Sequence, residues 1–282
     1  MHNIIAVIFD FDDTLAPDST TGYLRHAGLR DTAHFWQHEV TQLIDKDWDP
    51  VPAYLYAMIQ KSQAGAIPPI TREALSAWGK KLPLHGGVEK LFPSLRECVR
   101  QAHPHVTVEF YLISSGIGDV LRHTRIAHEF TDLWTSEFDY DDKGHACFTK
   151  KVVSFTDKTR YLFHIQKGLI GPQYRGKPFD VNRKFTPEQT RIPMHQFIFV
   201  GDGMTDIPCF SLVNKEKGIA IGVYDQEQET KWGKAYKFVA DRRVNTLYSA
   251  NYAEGSDLSN FLKMAVRNMA EQIAVQAGSY QA

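Results

Sequence analysis

Two carboxylates two residues apart, Asp10 and Asp12, follow directly on the apolar run Ile4-Ile5-Ala6-Val7-Ile8-Phe9. In an extended chain, residues two apart project to the same side, so both acids share one small space while Phe11 and Asp13 point elsewhere. An ionised Asp beside a core is costly unless a cation stands next to it, so chemistry here requires a metal ion, a lysine, or both. A plainer reading stays open at this point, because Asp clusters after strands also form turns and cap helices.

A second acidic pair lies in Gly201-Asp202-Gly203-Met204-Thr205-Asp206. Asp202 closes the apolar run Phe197–Val200, Gly203 permits a tight turn, and Asp206 comes one helical turn later. Carboxylate-rich and thiol-free, this set suits Mg²⁺ rather than zinc. Between the two pairs, the run Val106–Ser114 ends in Ser114-Ser115-Gly116-Ile117-Gly118, ahead of a helix expected from Asp119. A hydroxyl with exposed backbone N–H groups and glycines can cradle an anion, although Ser is equally an ordinary helix cap. Lys158 stands at the start of an expected helix running to Lys167. A lone lysine there is ordinarily just solvated, and its meaning depends on its company.

The elements that must position these residues follow from the pattern of apolar runs. Strand-like segments at Ile4–Phe9, Val106–Ser114, Phe197–Val200 and Gly218–Val223 are separated by helix-length stretches. That alternation predicts an α/β fold, a doubly wound and mostly parallel Rossmann-like sheet. In such sheets ligands collect beyond the carboxyl ends of the strands, where a doubly wound order could set Asp10 beside Asp202.

Roughly ninety residues separate the first two strands, far more than one crossover helix needs. Thr20–Asp45 carries Leu24, Phe35, Trp36, Val40, Leu43 and Ile44 at helical spacing. Pro50 and Pro52 mark a break, Ala53–Lys61 reads as helix, and Pro68-Pro69 breaks the chain again before Thr71–Lys81. The expected organisation is therefore a catalytic core of residues 1–16 and 85–282 with a mainly helical inserted domain of residues 17–84. Leu82–Gly87 would be the return hinge and Val88–Ala102 the next helix.

Glu137–Gly144 reads as a hairpin turning at Asp142-Lys143-Gly144. Gly168–Pro193 is a long, basic, Pro- and Gly-punctuated loop, of the kind that is functional or disordered. Asp257–Gln276 reads as an amphipathic helix packed on the core.

Bulk composition excludes several classes. With 282 residues and a net charge of −1, the chain has no global pull toward nucleic acid or an anionic membrane. No stretch approaches the length of a membrane span, and the first residues lack the pattern of a secretion signal. Cys98, Cys147 and Cys209 form neither a disulfide framework nor a zinc site, which predicts a cytoplasmic protein. His103 with His105, and His145 with Cys147, resemble metal pairs superficially but have no further ligands nearby in sequence.

Taken in order, Asp10-x-Asp12-x-Thr14-Leu15, a strand ending in Ser114, then Lys158, then Gly201-Asp202-Gly203-x-x-Asp206 resembles the haloacid dehalogenase superfamily. The resemblance is specifically to its phosphoserine-phosphatase-like phosphohydrolases, and the helical insert falls at that family's cap position. It implies a Mg²⁺-dependent phosphatase acting on a small phosphorylated metabolite.

By that resemblance Asp10 is the nucleophile that forms an aspartyl-phosphate, and Asp12 is the general acid and later the base. The metal would be held by Asp10, the backbone carbonyl of Asp12 and Asp202, with Asp206 completing or orienting the site. Ser114, the N–H groups of Ser115 and Gly116, and Lys158 would bind the phosphate. The cap would close over the substrate, with Tyr23, Arg25 and His26 as candidate selectivity groups. Asp13 stands where Gly is commoner in the family and reads as a turn or cap residue.

Two rival functions are a phosphotransferase or mutase of the same superfamily and a non-catalytic phosphate-binding module. Intact Asp10, Asp12, Lys158, Asp202 and Asp206 argue against the module. Trp36, Trp48, Tyr54 and Tyr56, read as exposed aromatics, keep a dimer open.

Overall fold

In the computed structural model, residues 2–225 and 243–279 are described. Among them, seven strands form one sheet: β1 (Ile4–Phe9), β2 (Thr107–Ile117), β3 (Asp132–Tyr140), β4 (Ala146–Lys151), β5 (Phe197–Gly201), β6 (Ile219–Tyr224) and β7 (Thr246–Ser249). Their order is β4-β3-β2-β1-β5-β6-β7. All pairs are parallel except β3 with β4. The strand order reverses direction at β1, so β1 and β5 lie side by side and their carboxyl ends share one crevice.

Among the described residues, the α-helices of the core and insert are α1 (Ser19–His26), α2 (Pro50–Gln63), α3 (Arg72–Lys81), α4 (Val88–Ala102), α5 (Gly118–Leu121), α6 (Phe155–Lys167), α7 (Ile207–Lys215) and α8 (Asp257–Ser279). Between α1 and α2 a helical run covers Thr32–His34, a π-helical Phe35–Val40 and Thr41–Ile44. Strand alternation divides the core. Ile5, Val7 and Phe9 of β1 join the buried residues of α4 and α8, and Ala6 and Ile8 join those of α6 and α7 on the opposite face. Both faces of β1 are therefore covered, which is why its sequence is continuously apolar.

Several expectations need correction. Thr20–Asp45 is not one helix, because the chain turns through Gly28 at φ +97° and restarts where Asp31 accepts a hydrogen bond from His34 N. Pro50 and Pro52 do not break the chain but form the first turn of α2. Proline is tolerated there because its missing N–H would have no intrahelical partner. β2 does not end at Ser114. It continues to Ile117, which still pairs with Ser136 after an irregularity in register, so Ser114–Gly116 lie in a bulged strand and the helix behind them is a single turn. β3 and the short β7 were not foreseen as strands of this sheet.

The hairpin is present, with Asp141 Oδ1 accepting from Lys143 N and His145 N across the turn. Gly168–Pro193 is an ordered loop with three short 3-10 turns. Lys167 Nζ donates to the carbonyls of Val181 at 2.6 Å and Arg183 at 2.7 Å, and Arg191 pairs with Glu109 at 2.6 Å. Glu109 sits near the start of β2, so this loop lies at the end of the sheet away from Asp10.

Around the inserted helices, His85 N donates to Leu15 O at 2.9 Å, and Tyr252 Oη donates to Thr14 O at 3.0 Å. The outgoing and returning chains are thus bound to one another. Ala146 N donates to Ile70 O, tying β4 to the insert. Tyr23, Phe35, Leu55 and Met58 of the insert belong to the same buried core as Val7 and Phe9. Of the aromatics read as exposed, Trp48 and Tyr56 are, and they pack on each other with ring centroids 4.9 Å apart. Tyr54 is instead buried. Among the described residues no helix is long and apolar enough to cross a membrane.

Candidate active site

Asp10 continues the face of β1 that carries Ala6 and Ile8, the face covered by α6. Its N–H still donates to Val200 O at 2.9 Å, so the ladder holds the residue although the strand has ended. Lys158, the fourth residue of α6, reaches up from below. Its side chain is fully buried, with Nζ 2.7 Å from Asp206 Oδ1 and 3.0 Å from Asp10 Oδ1. Burial alone would favour loss of the lysine proton, but the two carboxylates outweigh it and hold Lys158 protonated well above the ordinary lysine range.

Asp206 ends a 3-10 turn behind β5 and is also fully buried. Its second oxygen accepts from Gly203 N at 3.1 Å. It packs so tightly on β5 that a Cβ at Gly201 would stand 2.5 Å from Asp206 Oδ2, which explains the glycine there. Asp202, half-buried at the end of β5, completes the group. One oxygen each from Asp10, Asp202 and Asp206 lies within 4.8 Å of the others.

Burial pushes Asp10 up to about 6, with Asp206 adding to the rise and Lys158 opposing it. Burial also drives Asp202 well above the carboxylate range, reinforced by Asp10 and Asp206. Three converging acids with only one lysine among them retain excess negative charge. A hard divalent cation with oxygen ligands fits that donor set.

Asp12 is differently placed. Its Oδ1 accepts from Ser19 N at 2.7 Å at the start of α1, and a Cβ on Gly116 would meet its Oδ2 at 2.8 Å. Its carboxylate therefore sits between α1 and the bulge of β2, clear of the three-acid group. Burial, with Asp18 next, raises Asp12 well above the usual carboxylate range. Asp13 has φ +55°, the left-handed region that favours glycine and that Asp tolerates better than most residues. This turn is the reason an Asp can stand where Gly is the family's commoner residue.

Ser114 Oγ accepts from Gly116 N at 3.0 Å, which leaves the hydroxyl hydrogen free to donate outward. The Gly116 N–H expected to face a ligand is thus turned onto Ser114. Ser115 Oγ is buried and has no hydrogen-bond partner among the described residues. Tyr54 Oη from α2 donates to Ser115 O at 2.7 Å, joining the insert to the end of β2.

Together these groups line a cavity of about 380 Å³ that includes Asp10, Asp12, Ser114, Ser115, Gly116 and Asp202. Lys158 lies beneath this cavity, holding Asp10 and Asp206 from behind. A second cavity of about 670 Å³ shares Asp13 and Asp18 with the first and adds Arg25, His26 and Trp78. His26 stacks on Trp78 at 5.2 Å, and Arg25 Nε donates to Thr32 Oγ1. Tyr23 is buried in the core and lines neither cavity.

His103 and His105 pack ring to ring at 5.7 Å just before β2, at the other end of the sheet. Neither they nor His145 and Cys147 join a metal-capable group among the described residues. Sequence reasoning missed the roles of Tyr54, Trp36 and Asp18. For Asp18 a signal existed: Asp-Ser-Thr-Thr opens α1, and Asp18 Oδ1 accepts from Thr20 N and Thr21 N as a helix cap.

The chain matches the haloacid dehalogenase-like hydrolases over residues 7–211 and belongs to that family. It is 26% identical, over 93% of its length and 96% of the relative's, to an uncharacterised protein of Borreliella burgdorferi. Its fold is like that of a haloacid dehalogenase family hydrolase from Salmonella enterica serovar Typhi, with a TM-score of 0.57 at 16% identity, covering 92% of this chain and 70% of that one. It is also like a phosphoserine phosphatase solved as a phospho-aspartyl intermediate analogue, with a TM-score of 0.51 at 16% identity, covering 93% and 99%. A probable phosphoserine phosphatase from Vibrio cholerae gives a TM-score of 0.53 at 13% identity, covering 95% and 66%. At these identities the structures speak for the fold alone.

Proposed function

We propose that this protein is a Mg²⁺-dependent phosphatase that hydrolyses a small phosphomonoester through a phosphorylated Asp10. The observation that carries this reading is the division of labour between two acids only two residues apart. Asp10 is paired with Lys158 and set beside Asp202 and Asp206, whereas Asp12 is held by Ser19 N–H in a separate, half-buried position.

Asp10, the backbone carbonyl of Asp12, Asp202 and Asp206 would hold the metal, whose charge would offset repulsion between the phosphate and the acids. Ser114 and Ser115 both line the same cavity, and Ser114 Oγ–H and the Ser115 N–H would donate to phosphate oxygens. Lys158 commits one N–H to Asp206 and forms an ion pair with Asp10 at 3.0 Å, which fixes the carboxylate of Asp10 for attack.

In the first step an oxygen of Asp10 bonds to phosphorus as the bond from phosphorus to the leaving oxygen breaks. Asp12, whose protonated form its partly buried position favours, gives its proton to that leaving oxygen. In the second, the Asp12 carboxylate takes a proton from water, whose oxygen attacks phosphorus and releases inorganic phosphate and Asp10. Asp12 ends protonated, as it began.

Residues 17–84 serve as the cap over this site, and Tyr54 is the contact that closes it on Ser115. We place the reaction in the cytoplasm, a reading supported by the three free cysteines. Phosphate release from a panel of phosphorylated metabolites, with Mg²⁺ and then with excess chelator, tests the reading. Turnover that stops with chelator and returns with Mg²⁺ is expected, and full activity in excess chelator contradicts the metal assignment.

A further inference from the structure

Beside Asp18 and Thr20, the inserted helices contribute an apolar wall to the active-site cavity. Trp36, Val40, Ile44, Pro50, Val51 and Tyr54 form it. The polar tips of the two aromatics are already committed. Trp36 Nε1 donates to Thr21 Oγ1 at 2.7 Å, and Tyr54 Oη donates to Ser115 O at 2.7 Å. Their rings, with centroids 5.6 Å apart and planes inclined at 55°, are what remains to meet a ligand.

The charges of the cavity are equally one-sided. Asp10, Asp12, Asp13, Asp18 and Asp202 line it, and no Lys, Arg or His does among the described residues. The nearest lysine, Lys158, is buried between Asp10 and Asp206. Arg25 and His26 line only the neighbouring cavity. A carboxylate or second phosphate on the alcohol part of a substrate would therefore meet acidic side chains and hydrocarbon, with no cationic side chain in the lining to replace lost hydration. An uncharged ring would instead bury apolar area against Trp36 and Tyr54.

We infer that the substrate is a phosphomonoester of an aromatic alcohol that carries no anionic group, whose ring lies on the Trp36–Tyr54 wall while its phosphate faces Asp10 and Ser114. The inference rests on the phosphatase reading above and disfavours phosphoserine as substrate, despite the fold shared with phosphoserine phosphatases. It also assigns selectivity to the run Thr32–Ile44 and the start of α2, not to Tyr23, Arg25 and His26.

The test compares 2-phenylethyl phosphate with phosphoserine, both esters of primary alcohols, in the full-length enzyme with Mg²⁺. The expected kcat/KM is higher for the aromatic ester by about tenfold or more, the scale of an apolar pocket contact. Trp36→Ala should shrink that ratio. Ile44 is 39% exposed and tolerates a longer side chain, so Ile44→Arg should fold normally and shift the ratio toward phosphoserine.

A wild-type preference for phosphoserine, or a ratio unmoved by both variants, overturns the inference and leaves the phosphatase reading standing. If neither these esters nor the wider panel is hydrolysed, the phosphatase reading falls. Calorimetric binding of 2-phenylethylphosphonate against 2-amino-3-phosphonopropionate then decides the inference separately. Tighter binding of the aromatic phosphonate supports it, and equal or weaker binding refutes it.

Discussion

Lys158 Nζ and Asp206 Oδ1 lie 2.7 Å apart with both side chains wholly buried, and the same ammonium stands 3.0 Å from Asp10 Oδ1. One lysine thus fixes two acids that lie 196 residues apart in the sequence. Breaking a buried pair by removing one partner leaves the other charge uncompensated, at a typical cost of about 3–5 kcal/mol. Lys158→Met should lower unfolding free energy by an amount of that order in denaturant titration and abolish turnover. Asp206→Asn should destabilise less, because Asp10 still pairs with the lysine. Equal stability of Lys158→Met and the parent would show that the pair is not formed.

Gly116 has a sharply defined steric reason to be glycine. A methyl group there would stand 2.8 Å from Asp12 Oδ2 and 3.2 Å from Ser114 Oγ. Gly116→Ala should therefore displace the proposed acid and the phosphate donor together. A fall in kcat by about 10²-fold or more is expected, the scale of losing general acid catalysis. Circular dichroism and thermal melting should stay close to the parent. Unchanged kcat would place Asp12 elsewhere during turnover.

Tyr54 Oη is the polar link between α2 and the end of β2. Tyr54→Phe deletes one hydrogen bond while keeping the ring, a change of about 1 kcal/mol. If the contact holds the cap closed over bound substrate, KM should rise about fivefold with kcat little altered. A large fall in kcat with constant KM would assign the hydroxyl to chemistry instead.

Lys151, on the hairpin strand that braces the insert, offers a check by pH. Burial lowers it to about 8 from an ordinary 10.5, against the opposing pull of Glu137. Between those values the unfolded chain binds the extra proton, so stability rises with pH across this window, and the burdened, charged form prevails below it. Lys151→Gln should remove that rise, as read from melting temperatures between about pH 8 and pH 10.5. An identical pH slope in parent and variant would mean the lysine is solvated.

The two acidic motifs are legible in the sequence because each sits at a strand end, where a continuous apolar run stops abruptly. Ile4–Phe9 and Phe197–Val200 announce buried strands, and a parallel sheet can present Asp10 and Asp202 only beyond their carboxyl ends. Lys158 was ambiguous, since nothing local distinguishes a buried lysine from a solvated one. Its ion pairs with Asp10 and Asp206 span 148 and 48 residues of sequence.

The length of β2 was misjudged because Ser-Ser-Gly reads as a turn, whereas pairing with β3 carries the strand through it to Ile117. Tyr54 and Trp36 were read as surface aromatics because helical spacing alone does not say which face a helix buries. Tertiary contact with Ser115 and Thr21 decides that.

The central claim is that Asp10 attacks phosphorus, and the most direct measurement is the mass of the enzyme quenched during turnover. In Asp12→Asn the acid step is slowed and the water is no longer activated, so with an activated aryl phosphate the phosphorylated form should accumulate. Acid quench followed by intact and peptide mass spectrometry should show one phosphoryl group on the peptide carrying Asp10, removed by hydroxylamine. Turnover by the parent with no phosphoryl group trapped in the variant, or a phosphoryl group on any other residue, would contradict the account.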